Sequence, residues 1–163
     1  MAKCIVNVGA TGTGKSTETR AILMQSSQPE FIYDVNGEYK DYKGAISNMN
    51  FKDFLSNAKN KTNTTIVFEE ATIFFKQQGS TEDMLNLLVR KRHSNNIIIL
   101  NFHSLRKVPL DILDFTNYMI IHKTNDLDAV ISKKYEEHVD IWNAYKEVKE
   151  SLNHYEKRYV KFN

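Results

Sequence analysis

Residues 9–16 read Gly9-Ala10-Thr11-Gly12-Thr13-Gly14-Lys15-Ser16, and this octapeptide decides the fold. Three of the chain's six glycines fall within six positions here, so the backbone must take conformations that side chains disfavour. The spacing fits the phosphate-binding loop G-x-x-x-x-G-K-[ST], a pattern that chance produces in roughly one chain in two hundred of this length. The context is the one the mechanism requires: the apolar run Ile5 to Val8 precedes the loop, and a helical segment from about Lys15 to Met24 follows it. In such a loop, backbone N–H groups cradle phosphates at a helix N-terminus, where the dipole favours anions. Gly9, Ala10, Thr11, Gly12, Thr13, Gly14, Lys15, Ser16 and Thr17 are therefore the expected nucleotide-binding positions. Lys15 is expected to reach the β- and γ-phosphates of ATP, and the Ser16 hydroxyl to bind Mg²⁺.

Outward from this loop, apolar runs recur at α/β spacing. Phe31 to Asp34 reads as a second strand, Thr65 to Phe68 as a third, Ile97 to Asn101 as a fourth and Tyr118 to His122 as a fifth. Helices are expected around Phe51 to Ala58 and after Ser80, which can cap a helix with Asp83 three residues on; Met84, Leu87, Leu88 and Lys91 then follow at helical period. A last stretch, His138 to His154, places Ile141, Tyr145, Val148 and Leu152 on one helical face. Continuous apolar strands separated by helices predict an α/β fold, a mainly parallel sheet covered on both faces. With no repeat, low-complexity tract or Pro-rich linker, residues 1–163 are expected to form one domain: a core over about 3–126 and a helical segment over about 127–163.

Composition narrows the function. Apolar residues make up 41% of the 163 and charged residues 26%, which suits a folded soluble domain. Lys and Arg number 22 against 20 acids, a net charge of +2, which excludes a strongly basic coat-like nucleic-acid binder and leaves room for a local basic patch. The single cysteine, Cys4, lies in an apolar stretch and reads as a core residue in a reducing compartment. The start is unlike a secretory signal, and the longest apolar run, Ile97 to Leu100, falls far short of the ~20 residues that span a bilayer. A cytoplasmic protein without stable membrane insertion is expected.

The second chemical element is Thr65-Ile66-Val67-Phe68-Glu69-Glu70, an apolar strand ending in two carboxylates. P-loop ATPases use such a pair to place one acid on the magnesium's water shell and another beside the attacking water. The first acid is usually aspartate, so the longer Glu69 leaves the division of labour with Glu70 open.

Five motifs in order resemble the HerA/FtsK superfamily of DNA-pumping ATPases over residues 3–126. They are the phosphate loop, the acid-tipped strand, Phe31-Ile32-Tyr33-Asp34-Val35-Asn36-Gly37-Glu38-Tyr39, the helix end Arg90-Lys91-Arg92-His93 leading into the strand Ile97 to Asn101 with Phe102-His103, and Val108-Pro109 leading to Tyr118–His122. The resemblance implies a sheet ordered 5-1-4-3-2, as in RecA/ASCE-type ATPases, with the sensor strand between the phosphate-loop and acid strands. Asp34 and Glu38, close to a strand's carboxyl end in a doubly wound sheet, are expected to face the nucleotide, with capping of a turn as the alternative; the resemblance implies that Glu69 and Glu70 are catalytic, with Glu69 beside the metal. The family's sensor Thr-Gln is here Phe102-His103; an imidazole can donate one hydrogen bond, and Asn101 competes with His103 for the role. An arginine finger supplied to a neighbouring subunit is implied too, Arg92 by position, with Arg90 and Arg106 as alternatives.

No stretch of the 163 residues reads like the N-terminal barrel of cellular HerA or the membrane anchor and winged helix of FtsK; a bare motor is expected, and that build is similar to the small viral genome-packaging ATPases. That resemblance implies an ATPase ring, hexameric by analogy, pumping double-stranded DNA of any sequence in the host cytoplasm or at a packaging vertex, with a capsid vertex or portal protein as a further partner. A small nucleotide or metabolite kinase is the second reading, and a phage assembly or secretion-related ATPase a third. Lys123-Thr124-Asn125-Asp126 is not the Asn-Lys-x-Asp of guanine readers, which argues against a GTPase.

Overall fold

The computed structural model describes residues 2–76 and 80–162. Its strands are β1 (Lys3–Val8), β2 (Glu30–Tyr33), β3 (Ala45–Ile46), β4 (Thr65–Phe68), β5 (Ile97–Phe102), β6 (Tyr118–His122) and β7 (Lys157–Lys161). They form one sheet in the order β3-β2-β4-β5-β1-β6-β7. Every pairing is parallel except β6–β7. The five strands legible in the sequence are β1, β2, β4, β5 and β6, and they stand in the order 5-1-4-3-2 when numbered among themselves. The two additions, β3 and β7, are the sheet's edges.

The helices are α1 (Lys15–Gln25), α2 (Phe51–Lys59), α3 (Thr72–Lys76), α4 (Ser80–Ser94), α5 (Asp128–Lys134) and α6 (Val139–Glu150). Both faces of the sheet are covered, unequally. One face carries the larger core, with Val6, Phe68, Leu100 and Ile121 from the strands packed on Phe54 of α2, Phe74 of α3, Leu88 of α4 and Ile141 of α6. Phe54 stacks on Phe31 at 4.4 Å and meets Phe68 and Phe74 edge-on. The other face is narrower: Leu23 of α1 and the loop residue Tyr39 pack on Ile32, Val67, Ile99, Ile5 and Ile120.

Side chains alternate along a strand, so the residues two places beyond those five share their face. They are Asp34, Glu69, Asn101, Asn7 and His122, all polar and each at most 2% exposed. The α1-facing side of the sheet thus changes from an apolar row to a polar row at the carboxyl ends of its strands, under the phosphate loop. In open α/β sheets this end is where ligands bind.

The C-terminal segment differs from the helical extension read from sequence. It contains α5 and α6 and then returns as β7, whose only buried residue is Val160. The final helix stops at Glu150 because Ser151 is extended, with φ −63° and ψ 139°. Leu152 therefore falls off the helical stripe and is fully exposed, while Ile141, Tyr145 and Val148 are buried as the period predicts. The Ser80 side chain, expected to cap α4, lies outside what is described. No helix of the described residues is long and apolar enough to cross a membrane.

Candidate active site

The phosphate loop is pinned at its start. Gly9 N–H donates to Phe102 O at the end of β5, and Ala10 N–H to Lys123 O just past β6. A Cβ on Gly9 would lie 2.6 Å from Thr13 Oγ1 and 2.7 Å from His122 Cβ, so only glycine lets the loop fold back this closely. Gly14, at φ 102°, turns the chain into α1 without a side-chain cap. The first N–H groups of α1, from Lys15, Ser16 and Thr17, thus have neither a helical carbonyl nor a cap, and they open onto the loop's cavity.

Beneath the loop, the polar row is joined by hydrogen bonds. Asn7 Nδ2 donates to Lys15 O (3.1 Å) and to Thr19 Oγ1 (3.3 Å); Thr19 Oγ1 donates to Asn101 Oδ1 (3.3 Å); Asn101 Nδ2 donates to Glu69 Oε2 (2.7 Å). His122 sets Nδ1 3.1 Å from Thr13 O and Nε2 3.0 Å from Asn7 Oδ1, and burial lowers its pKa to about 4. Asn7, Thr19 and His122 are site residues that sequence reading missed. At Asn7 the signal was a polar residue inside an otherwise apolar strand.

The two acids separate in environment. Glu69 is buried, and loss of solvation raises its pKa to about 7 against the hydrogen bond from Asn101, which favours the charged form. Glu70 stands at the mouth, half-buried, and accepts from His103 Nε2–H at 2.8 Å. Each acid therefore has its own partner from the end of β5: Asn101 for Glu69, His103 for Glu70. The rivalry between Asn101 and His103 for one sensor role becomes two contacts.

Lys15 is buried and its Nζ donates to Ala10 O at 3.1 Å. Burial lowers its pKa, while Glu69, Glu38 and Glu70 push it back up. Glu38 reaches the Ser16 hydroxyl, which donates to its carboxylate. Asp34 does something else. Its carboxylate accepts the N–H groups of Glu38 (2.8 Å) and Tyr39 (3.0 Å), so it shapes the turn that delivers those residues instead of facing the cavity.

A cavity of about 350 Å³ collects Thr11, Gly12, Gly14, Lys15, Ser16, Thr17, Glu38, Glu69 and His103, together with Tyr155 from the C-terminal segment. Its donors fit a nucleotide with a hard cation. One ammonium faces three carboxylates, and two polar atoms, Tyr39 Oη and His103 Nδ1, are buried without a protein partner. Among the described residues no three metal-ligating side chains cluster. Mg²⁺ needs no such cage, since it binds through one or two protein oxygens and substrate phosphates; the oxygens of Ser16 and Glu69 line the cavity and fit that need.

The three arginines are placed differently. Arg90 and Arg92 are exposed near the end of α4, which runs out three residues before β5 begins. They lie at the amino edge of the sheet, the length of β5 away from their own phosphate loop. Arg90 lines a separate cavity of about 290 Å³ with Lys59, Lys61 and His93. Arg106 is on the site's edge, exposed, 3.8 Å from Asp126. Asp126 itself ties the loops after β5 and β6 together by accepting from Ser104 Oγ (2.5 Å) and Leu105 N–H (2.7 Å).

Comparison with known proteins returned no matching family model and no matching curated protein. Solved structures do match. The DNA-packaging ATPase B204 of Sulfolobus Turreted Icosahedral Virus superposes with a TM-score of 0.74 at 16% identity, over 98% of this chain and 92% of that one. The genome packaging NTPase B204 of Sulfolobus turreted icosahedral virus 2 gives 0.75 at 19% identity in its AMPPCP complex, over 98% and 92%. Its ATP-gammaS complex gives 0.73 at 19% identity, over 99% and 93%. The chain has the fold of a viral genome-packaging ATPase.

This packaging-ATPase fold carries a cost at Glu69 that a measurement can expose. A carboxyl with a pKa near 7 in the fold and 4.5 unfolded binds its proton more tightly when folded. Its stabilising contribution is complete below about pH 4.5 and is lost as pH rises to about 7. Glu69→Gln removes the buried charge, so the ligand-free Tm should rise by several degrees at pH 8 and hardly at all at pH 4.5. Scanning calorimetry at the two values checks this; a pH-independent change would contradict it.

Proposed function

We propose that this chain is an ATP hydrolase that translocates double-stranded DNA, of the viral genome-packaging type, working as a homo-oligomeric ring. The observation that carries the reading is the pairing of the two acids with separate β5 partners beside the phosphate loop. Those pairings give two carboxylates two tasks, as hydrolysis by water requires. A kinase would need to bring a bulkier acceptor to the same mouth.

In this reading the free N–H groups at the start of α1 hold the phosphates, and Lys15 offsets charge on the γ-phosphate in the transition state. Mg²⁺, when bound, would offset charge on the phosphates, and Ser16 and Glu69 are the residues that would hold it. Glu70 orients the attacking water and receives its proton, with His103 fixing the carboxylate. Water attacks the γ-phosphorus in line, and the β–γ bridging oxygen leaves with ADP. Arg92, remote from its own loop, serves the neighbouring subunit's site. The fold likeness to packaging ATPases supports double-stranded DNA as the cargo, and the near-neutral charge supports few phosphate contacts per subunit, made by the assembled ring.

The test is ATP hydrolysis with and without double-stranded DNA. Several-fold stimulation, indifferent to sequence and falling as salt rises, is expected. Hydrolysis unmoved by DNA, with phosphate passed instead to a small acceptor, would favour the kinase.

A further inference from the structure

The nucleotide cavity has a wall that the phosphate chemistry does not use. The sheet order sets the acids that follow β4, and their partners at the end of β5, to one side of β1 and the β6–β7 pair to the other. Glu69 and His103 accordingly close one end of the cavity, and Tyr155, just before β7, closes the other. A nucleotide with its γ-phosphate beside the acids must run its ribose and base across Gly12 and Gly14 toward that second end. We propose that Tyr155 is the platform on which the nucleobase stacks, an inference that rests on the nucleotide-binding reading above.

The geometry around Tyr155 supports this. A Cβ placed on Gly14 would lie 3.8 Å from Tyr155 Cδ1 and from His122 Nδ1, so the Tyr155 ring flanks the phosphate loop at ordinary contact distance. Yet the residue is 66% exposed, unlike the buried tyrosines 39, 135 and 145 of the two cores. An apolar ring left open at the wall of a polar cavity suits a flat π-system, and such stacking tolerates any base.

The ring is also held in place. Asn153 Oδ1 accepts Tyr155 N–H (3.0 Å), Asn153 N–H donates to Ser151 Oγ (3.1 Å), and Glu156 N–H returns to Asn153 O (3.2 Å). The His154 ring meets Tyr155 edge-on at 5.2 Å. Beyond it, Lys157 pairs with Glu18 in the first turn of α1, and Tyr159 Oη donates to the same carboxylate at 2.9 Å. Lys157 stands opposite His122 in the β6–β7 register, and Lys123 Nζ donates to Ser151 O. The C-terminal segment is thereby strapped to the phosphate-loop helix, which presets the platform before a ligand arrives and lowers the ordering cost of binding.

Equilibrium binding of a non-hydrolysable ATP analogue and of inorganic tripolyphosphate, both with Mg²⁺, separates base from phosphate. In the full chain, Tyr155→Ala should weaken the ATP analogue by roughly 5- to 150-fold and leave tripolyphosphate within about twofold. Tyr155→Phe keeps the ring and should bind both like wild type. The GTP analogue should lose affinity in parallel with the ATP analogue, because stacking does not read base edges. Unchanged ATP-analogue affinity in Tyr155→Ala would overturn the inference. So would an equal loss for tripolyphosphate, which would mean that the ring only buttresses the loop. A wild-type chain that binds neither probe would instead overturn the nucleotide site itself, and the inference with it.

Discussion

Glu70→Gln should leave ATP affinity within a few-fold of wild type and lower turnover by roughly two to four orders of magnitude. The substitution preserves shape and one carbonyl oxygen, which can still accept from His103 Nε2–H, so the mouth of the site keeps its geometry. What it removes is the charge that, in the proposed mechanism, orients water and takes its proton. Lys15→Ala should do the opposite, weakening binding itself. Its ammonium is the cation that faces Glu69, Glu38 and Glu70, and without it those carboxylates repel the incoming triphosphate. Comparing Kd with single-turnover hydrolysis for both variants separates the two effects. If Glu69→Gln abolishes hydrolysis while Glu70→Gln hydrolyses normally, the two acids exchange roles.

Arg92→Ala should be nearly as inactive, for a reason that leaves its own site intact. Arg92 is exposed at the amino edge of the sheet, and a six-residue strand of about 20 Å separates that edge from the phosphate loop. It can act only across a subunit boundary, where a finger contributes ~10³ or more in rate. The ordinary alternative, an arginine that merely complements the C-terminal dipole of α4, predicts a change of at most a few-fold. Mixing discriminates. A ring of Arg92→Ala and Glu70→Gln subunits contains some interfaces with an intact acid on one side and an intact arginine on the other, so part of the lost ATPase rate should return. No recovery from rings shown to be mixed would remove Arg92 from the interface and leave Arg106, at the site's own edge, as the next candidate.

Much of this was legible because local patterns and the fold agree. Gly9 to Ser16 announces the loop through glycine spacing, and β1, β2, β4, β5 and β6 announce themselves as apolar runs, since a parallel sheet is buried on both faces. The acids were legible as charge at a strand's end. Partners were not, because Asn101 and His103 reach Glu69 and Glu70 from more than thirty residues away. Asp34 looked like a ligand because a carboxylate at a strand's end reads the same whether it faces a cavity or caps a turn. β3 has two residues, too few for any pattern, and β7 is a polar edge strand with one buried side chain. Tyr155 lies some 140 residues from the loop it flanks, and only the return of the chain along β6 brings it there.

In the proposed function, hydrolysis at this site moves double-stranded DNA. Displacement of a labelled third strand from a DNA triplex tests it most directly, because only a protein travelling along the duplex strips the third strand away. The wild-type chain should release it with ATP and Mg²⁺, fail to release it with a non-hydrolysable analogue, and lose release in step with hydrolysis in Glu70→Gln. Brisk ATP hydrolysis on the same DNA with the triplex left intact would contradict the account.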